Sequence, residues 1–364
     1  MRTTLTTGLP QVIVYAGASC TPYSATDTVA LSTNAWHFLE GVYDQSGGTL
    51  KLYIDGVLKN TNSSATGNLC NPTQQLAIGA IGYFTGGSGF NGKIDQVRVF
   101  NYARTPAQIA WDYNRGAPVG HWKMDECQGN SVFDSSGNGN TGTTTIGSSG
   151  TQTAVGTCTT SGAWYNVSSG KYNSSLNFDG TDDYVDLGDP SVLDVTGAIT
   201  VSAWIKPMSV TGSTFKIVGD ENSTWCGYPC GGYSLYISSG GYPVFTFGDN
   251  ATGGNSGNWD LVSSGSTIAA ASWYHIVGTW DGTTGTNGMK IYVNGILKGQ
   301  ATAVQTRIDH GTPNTVIGAE NDSVGTWRNF FNGQIDDARV YNYTLTATQV
   351  KQVYNEGAGI RFGP

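Results

Sequence analysis

The chain has 364 residues, a formal charge of −8 and a pI near 4.9, so it repels a phosphate backbone and nucleic acid is excluded as a partner. Only 12% of its residues are charged while 52 are Gly, about half and about twice the usual shares, which rules out helix bundles and coiled coils. The 38% hydrophobic content and 10 Trp suffice for a core, which leaves an all-β protein rich in Gly, Ser, Thr and Asn.

Taken in chain order, the predicted elements repeat. Leu9–Tyr15 is an apolar run that aligns with Tyr242–Gly248. Ala35–Asp44 (AWHFLEGVYD) returns as Ser272–Asp281 (SWYHIVGTWD). Thr49–Asn60 and Gly288–Gly299 each hold two alternating runs joined by Asp55-Gly56 or Asn294-Gly295, the signature of a two-residue hairpin. Leu76–Ala80 matches Thr315–Glu320, and Phe90–Gly116 matches Phe331–Gly357, with 21 residues from Asp95 to Gly116 and 21 from Asp336 to Gly357. Thr105-Pro106 and Thr346 open short amphipathic helices that stop at Gly.

The second copy has further strands upstream of the repeated part. Period-two patterning predicts them at Gly120–Met124, Ser175–Phe178, Ala198–Lys206, Lys216–Asp220, Tyr233–Ile237 and Val244–Phe247, followed by Trp273–Asp281, Met289–Val293, Thr315–Ala319 and Gln334–Asn342. Short strands with Gly, Asn and Ser turns indicate a two-sheet antiparallel sandwich. The expected domains are therefore a partial copy over 1–116 and a complete one over 117–364. The first copy lacks about 115 residues of the front of the module. Half a sandwich exposes edges and a core face. A gene fragment is the first explanation; a cleaved longer chain and a partner that adds the missing strands are the others.

Six Cys in a low-charge β protein favour an oxidising, extracellular setting. Proximity along the chain pairs Cys20 with Cys70, Cys127 with Cys158, and Cys226 with Cys230; free buried thiols are the alternative. No stretch approaches the roughly 18 apolar residues of a membrane span, and the first residues lack the apolar core of a secretory signal.

The series HWKMDE (His121–Glu126), LNFDGTDDYVDLG (Leu176–Gly188), ITVSAWIKP (Ile199–Pro207), WYHIVGTWDG, IYVNGILKG and FNGQIDDARVYNYTLTATQVKQVYNEG resembles the laminin-G-like jelly-roll domain of the concanavalin A-like lectin/glucanase superfamily. The resemblance covers the whole second copy and the back half of the first. It implies tandem jelly rolls, each ending in a short helix. It leaves function open among lectins, adhesion modules and glycosidases.

Strict alternation on the last strand would put Asp336, Ala338 and Val340 on one face. A carboxylate among small apolar groups needs a counter-charge. By the resemblance, Asp336 is the lead ligand of a structural Ca²⁺, with Asp125 or Glu126 from the first strand and Asp179 as further candidates; Asp95 is its counterpart in the incomplete copy. Hard oxygen donors suit Ca²⁺. The competing reading is that Asp336 caps a loop or pairs with an Arg. Adjacent Asp182 and Asp183 would face opposite ways on a strand and cannot act as a pair. No paired-carboxylate motif of glycosidase type is present, so no catalytic residue is expected. Candidate sugar platforms are Trp225, Tyr228, Tyr242, Trp259 and Trp327. The expected function is a non-catalytic extracellular recognition module, carbohydrate-binding and Ca²⁺-stabilised, part of a surface or secreted protein. The alternative is a structural or adhesive repeat that binds an extracellular protein or associates with itself through the incomplete copy; a glycoside hydrolase comes third.

Overall fold

The computed structural model describes residues 2–3, 8–70, 77–79, 89–159, 162–164, 170–220, 231–249, 258–309, 314–321 and 326–356. Two compact units divide the chain, Met1–Gly116 and Ala117–Pro364.

The second unit is a sandwich of antiparallel sheets. One sheet runs in the order Leu176–Asp179, Asn332–Tyr341, Ile199–Pro207, Tyr274–Trp280, Gly285–Val293 and Ile296–Ala303, and Gly120–Trp122 also pairs with Asn332–Tyr341. The other runs Asn258–Ser263, Pro243–Asp249, Gly232–Ile237, Phe215–Gly219, Val316–Ile317, Tyr184–Asp186, Gly142–Thr145 and Ser131–Val132. Phe178, Ile205, Leu235, Phe245, Trp280 and Ile335 fill the space between them. Gly278 sits where a Cβ would lie 2.3 Å from the Phe245 ring, so only glycine lets the sheets approach this closely.

Ile199–Pro207 reads as a nearly continuous apolar run because it is buried on both sides. Its outer face is roofed by the helix Ala347–Asn355, whose Tyr354 stacks on Trp204 with centroids 5.4 Å apart. Thr346 and Gln349 form a reciprocal capping box at the start of that helix, and Thr105 with Gln108 does the same for Pro106–Asn114.

His275 lies under the same roof, 5.2 Å from the Trp204 ring. Burial drives its pKa down to about 3, helped by Arg339 and Lys171 and opposed by Asp337. The unfolded imidazole protonates near pH 6.5, the folded one does not, so stability is complete above pH 6.5 and is lost as pH falls toward 3. We expect about 2 kcal/mol of this loss by pH 5. His275→Phe, which installs the residue found at the equivalent Phe38, should abolish that component in urea titrations at pH 7 and pH 5. An unchanged acid loss in the variant would refute the assignment.

The first unit contains the back half of the same design. Pro10–Ala16 pairs with Thr21–Thr26, and Leu39–Asp44, Thr49–Ile54 and Val57–Asn62 form a second sheet. Val12, Ala25, Leu50, Leu52, Ile54 and Ala65 make its small core. The repeated details coincide. Asp55 Oδ1 accepts from the Phe38 N–H as Asn294 Oδ1 accepts from the His275 N–H, at 2.8 and 2.9 Å. A Cβ on Gly41 would meet Val12 at 2.3 Å, as one on Gly278 would meet Phe245.

Three expectations are corrected. Asn332–Tyr341 does not alternate strictly: Trp204 pairs with Asp336 but Ser202 with Arg339, so one extra residue is accommodated at Asp337, where φ is 52°. This bulge puts Ile335, Ala338 and Val340 together on the core face and Asp336 on the other. Second, Asp182 and Asp183 lie in the turn before Tyr184–Asp186 rather than on a strand, and their carboxylates converge with that of Asp179. Third, Asn91–Phe100, the counterpart of Asn332–Tyr341, is not a strand. Its three strand partners have no equivalents within residues 1–116. Short strands were also missed, among them Ser131–Val132, Gly142–Thr145, Tyr184–Asp186 and Asn258–Ser263.

Candidate functional site

Two of the expected disulfides form, Cys20–Cys70 and Cys127–Cys158, with Cα atoms 5.8 and 4.8 Å apart. Cys226 and Cys230, with Trp225 and Tyr228, lie outside the described residues.

The carboxylates proposed as cation ligands fall into separate groups. Asp336 is wholly buried. Its Oδ2 accepts from the Tyr172 N–H at 2.8 Å, and Oδ1 has no hydrogen-bond partner. Burial, reinforced by Asp337 and Asp125, raises its pKa to about 8. Asp125 is bound to the same loop: its Oδ1 accepts from the Ser174 N–H and its Oδ2 from the Asn173 side chain, while the Ser174 hydroxyl donates to the Met124 carbonyl. Asp336 and Asp125 therefore meet at the 171–174 loop, and an unpartnered buried oxygen beside a second carboxylate fits a hard cation. Glu126 turns elsewhere, accepting from the Phe133 N–H at 2.7 Å, and burial raises its pKa.

Asp179 joins Asp182 and Asp183, with one carboxylate oxygen from each lying within 4.8 Å of the other two. The loop 147–152 lies against them: Gly147 donates to Asp183, Ser149 to Asp182, and Thr151 and Gln152 to Asp179. Burial is the main reason that the Asp183 pKa rises to about 6, with Asp179 and Asp182 adding to it. These backbone donors make the cluster a clamp for the loop, and the run Phe178–Tyr184 was the signal for it. Asp95 is exposed and accepts only from the neighbouring Gln96 N–H among its described bonds.

The last strand also carries an ion cluster. Asp337 accepts from His121 Nε2 at 2.7 Å and from Arg339 at 2.8 Å, and Arg339 reaches Glu356 on the helix. His121 and Arg339 hold the Asp337 carboxyl below the usual carboxylate range despite its burial. The alternative of an Arg partner thus belongs to Asp337, one residue on from Asp336.

On the outward face of the eight-stranded sheet Tyr184 stacks on Trp327 with centroids 3.8 Å apart and planes 15° apart. Trp327 pairs with Asn321, which lines a shallow depression with Lys216, Ser234, Asn314 and Glu320. Glu320 accepts from Arg328 at 2.8 Å and lies 3.4 Å from Lys216; Asn314 donates to Asp186 at 2.8 Å. Sequence reasoning found Trp327 but missed Tyr184, Lys216, Asn314 and Glu320, which sit on different strands and have no common spacing. Trp259 lies over Gly248, and Tyr242 is 38% exposed at a turn; neither shares this depression.

A sandwich of this topology, with a terminal acidic strand and a helix on its outer face, defines a jelly-roll module of lectin type. The family model of the concanavalin A-like lectin/glucanases superfamily, laminin-G-like branch, matches residues 5–110 and 179–351, and the chain belongs to that family. Among solved structures it is similar to domain 4 of AbnA, a GH43 extracellular arabinanase from Geobacillus stearothermophilus, in complex with arabinotriose: 24% identity, TM-score 0.45, covering 65% of this chain and 98% of that one. It is also similar to the binding domain of Paraclostridial Mosquitocidal Protein 1 (14%, TM-score 0.47, 67% and 53%). A third likeness is a heptameric SAP-like pentraxin from Limulus polyphemus (22%, TM-score 0.38, 51% and 82%). Comparison with curated proteins gives no match.

Proposed function

We propose that the chain is a non-catalytic extracellular carbohydrate-recognition module whose second unit is stabilised by Ca²⁺. The observation that carries the sugar reading is the Tyr184–Trp327 stack beside the depression formed by Asn314, Asn321, Lys216 and Glu320. A flat aromatic face takes the apolar side of a pyranose or furanose ring, and fixed amide and charged groups next to it can bond ring hydroxyls. The acidic groups there are already engaged, Glu320 by Arg328, Lys216 and Asn329 and Asp186 by Asn314. Such carboxylates hold a site in shape rather than exchange protons with a substrate. Two disulfides support an oxidising location, and no described helix is long and apolar enough to cross a membrane.

In this reading Asp336 and Asp125 hold Ca²⁺, which supplies the positive charge that the buried carboxylate lacks. The cation fixes the 171–174 loop and takes no part in bond cleavage.

A glycan array probed with and without chelator tests the sugar reading. We expect at least one class of glycan to bind, and Trp327→Ala or Tyr184→Ala to weaken that binding by tenfold or more while thermal stability changes little. Absence of any glycan ligand in both conditions refutes the reading, as does full binding by both variants.

A further inference from the structure

Glu320 is the hub of a dry polar cluster in the second unit, its side chain only 4% exposed. Its two oxygens are used differently. Oε1 accepts from Arg328 Nε and Nη2 at 3.0 and 2.8 Å, a fork that fixes the carboxylate in place. Oε2 faces two other groups. The Asn329 amide nitrogen donates to it at 2.6 Å, and the Lys216 ammonium, itself 6% exposed, lies 3.4 Å from the same atom. An amine and an amide thus meet on one oxygen of a buried carboxylate.

The main chain brings the same two residues together. Lys216 lies in the strand Phe215–Gly219, and its N–H donates to the Asn329 carbonyl at 2.9 Å. Glu320 pairs with Arg328 across a short ribbon, which sets Asn329 directly after the fork. The Lys216 ammonium is steered by the Ser234 hydroxyl, to which it donates at 3.2 Å, and by the Tyr236 ring, 4.6 Å away. Burial pushes the Glu320 carboxyl up, but Lys216, Asn329 and Arg328 together hold it below its ordinary range. The resting group is therefore the anion, a base with a proton donor beside it. Proton transfer within the pair leaves a neutral acid and a neutral amine, which burial favours over two charges. A neutral amine is a nucleophile, and here it is held next to an amide.

We propose that Lys216 and Asn329 join in an isopeptide bond, with Glu320 carrying the protons. The Lys216 amine attacks Asn329 Cγ; the Nζ–Cγ bond forms and the Cγ–Nδ2 bond breaks. Two of the three ammonium protons pass by way of Glu320 to Nδ2, which leaves as ammonium ion. Glu320 ends as the carboxylate it began, and neither oxidant nor cofactor is consumed. The event is intramolecular and happens once per chain, so it acts on no other molecule. Its product would clamp Phe215–Gly219 in one sheet to the residues that lead into Asn332–Tyr341 in the other. The inference does not rest on the sugar reading.

Mass spectrometry of the full chain, unfolded and with its disulfides reduced and alkylated, tests it with no glycan present. The wild type should weigh less than its sequence by one ammonia. Its tryptic digest should hold a branched peptide joining Lys216 to Asn329. Asn329→Asp keeps a side chain that tolerates the local φ of 54° and should lose one water instead. Lys216→Arg keeps the cation and should show the full mass, as should Glu320→Gln, which keeps the shape but not the base. A wild-type chain of full mass with separate 216 and 329 peptides overturns the proposal. A Glu320→Gln chain that is joined to the same extent as the wild type, or an Asn329→Asp chain that still loses ammonia, overturns it equally.

Discussion

Replacing Arg339 with methionine should destabilise the second unit by about 3 to 5 kcal/mol at pH 7, the largest effect expected of any single surface-directed side chain in it. Arg339 and Asp337 have side chains only 9% and 6% exposed, so their charges have left water and depend on each other. Without the guanidinium, Asp337 would retain only its hydrogen bond with His121 of the two contacts described, and Glu356 would lose its anchor on the sheet. Methionine fills much of the volume, so the loss reports charge rather than a cavity. The partner change is Asp337→Asn, because the position has φ of 52° and Asn is the side chain best able to hold that conformation without a charge. In a double-mutant cycle followed by urea unfolding, the two losses should fall short of additivity by 1 to 3 kcal/mol. Simple additivity would show that the pair is not coupled. The first unit holds a neutral form of the same contact, with Arg98 donating to Gln96 at 3.1 Å, so the Asn variant moves the second copy toward a solution the chain already contains.

The fold was legible because the repeat compares the chain with itself. Asp55-Gly56 and Asn294-Gly295, Thr105 and Thr346, Gly41 and Gly278 each mark a turn, a cap or a close approach by local chemistry that needs no partner. Strands Ile199–Pro207 and Tyr274–Trp280 declared themselves by length and apolar content. Ser131–Val132 and Glu320–Asn321 are two residues long, too short for any period to show, and exist because neighbouring strands supply their hydrogen bonds. The site was harder to read. Alternation assigns the face of Asp336 only if no residue is inserted, and the bulge at Asp337 is set by the pairing with Trp204 and Ser202. The Tyr184–Trp327 stack joins residues far apart in sequence, and nothing in the spacing of either tells of the other. Asn91–Phe100 is the reverse case: its sequence repeats a strand, yet it pairs with no strand among the described residues.

Saturating calcium should stabilise the second unit by about 3 to 4 kcal/mol when present at a hundred to a thousand times its Kd, through mass action on the folded state. For a unit of this size that corresponds to a rise in Tm of roughly 10 °C. The argument starts from Asp336 Oδ1, a buried oxygen with no hydrogen-bond donor. A carboxylate so placed must take either a proton or a cation, and the rise of its pKa to about 8 describes the first choice. A cation shared with Asp125 is the second, and it would displace the proton; calorimetry at pH 7 in buffers of different ionisation enthalpy should then register proton release on binding. Asp336→Asn keeps the shape and a bond to the Tyr172 N–H while removing the charge, so it should abolish both the calcium-dependent rise and the proton release. The same variant should be about as stable as the wild type in chelator at pH 7, since the wild-type carboxyl is then mostly protonated and already neutral. Asp95→Asn in the first unit should leave the calcium response unchanged, because Asp95 is exposed and has no counterpart of Asp125 within residues 1–116. A wild-type melting curve that does not move on adding calcium, or an Asp336→Asn variant that still responds, would sink the assignment.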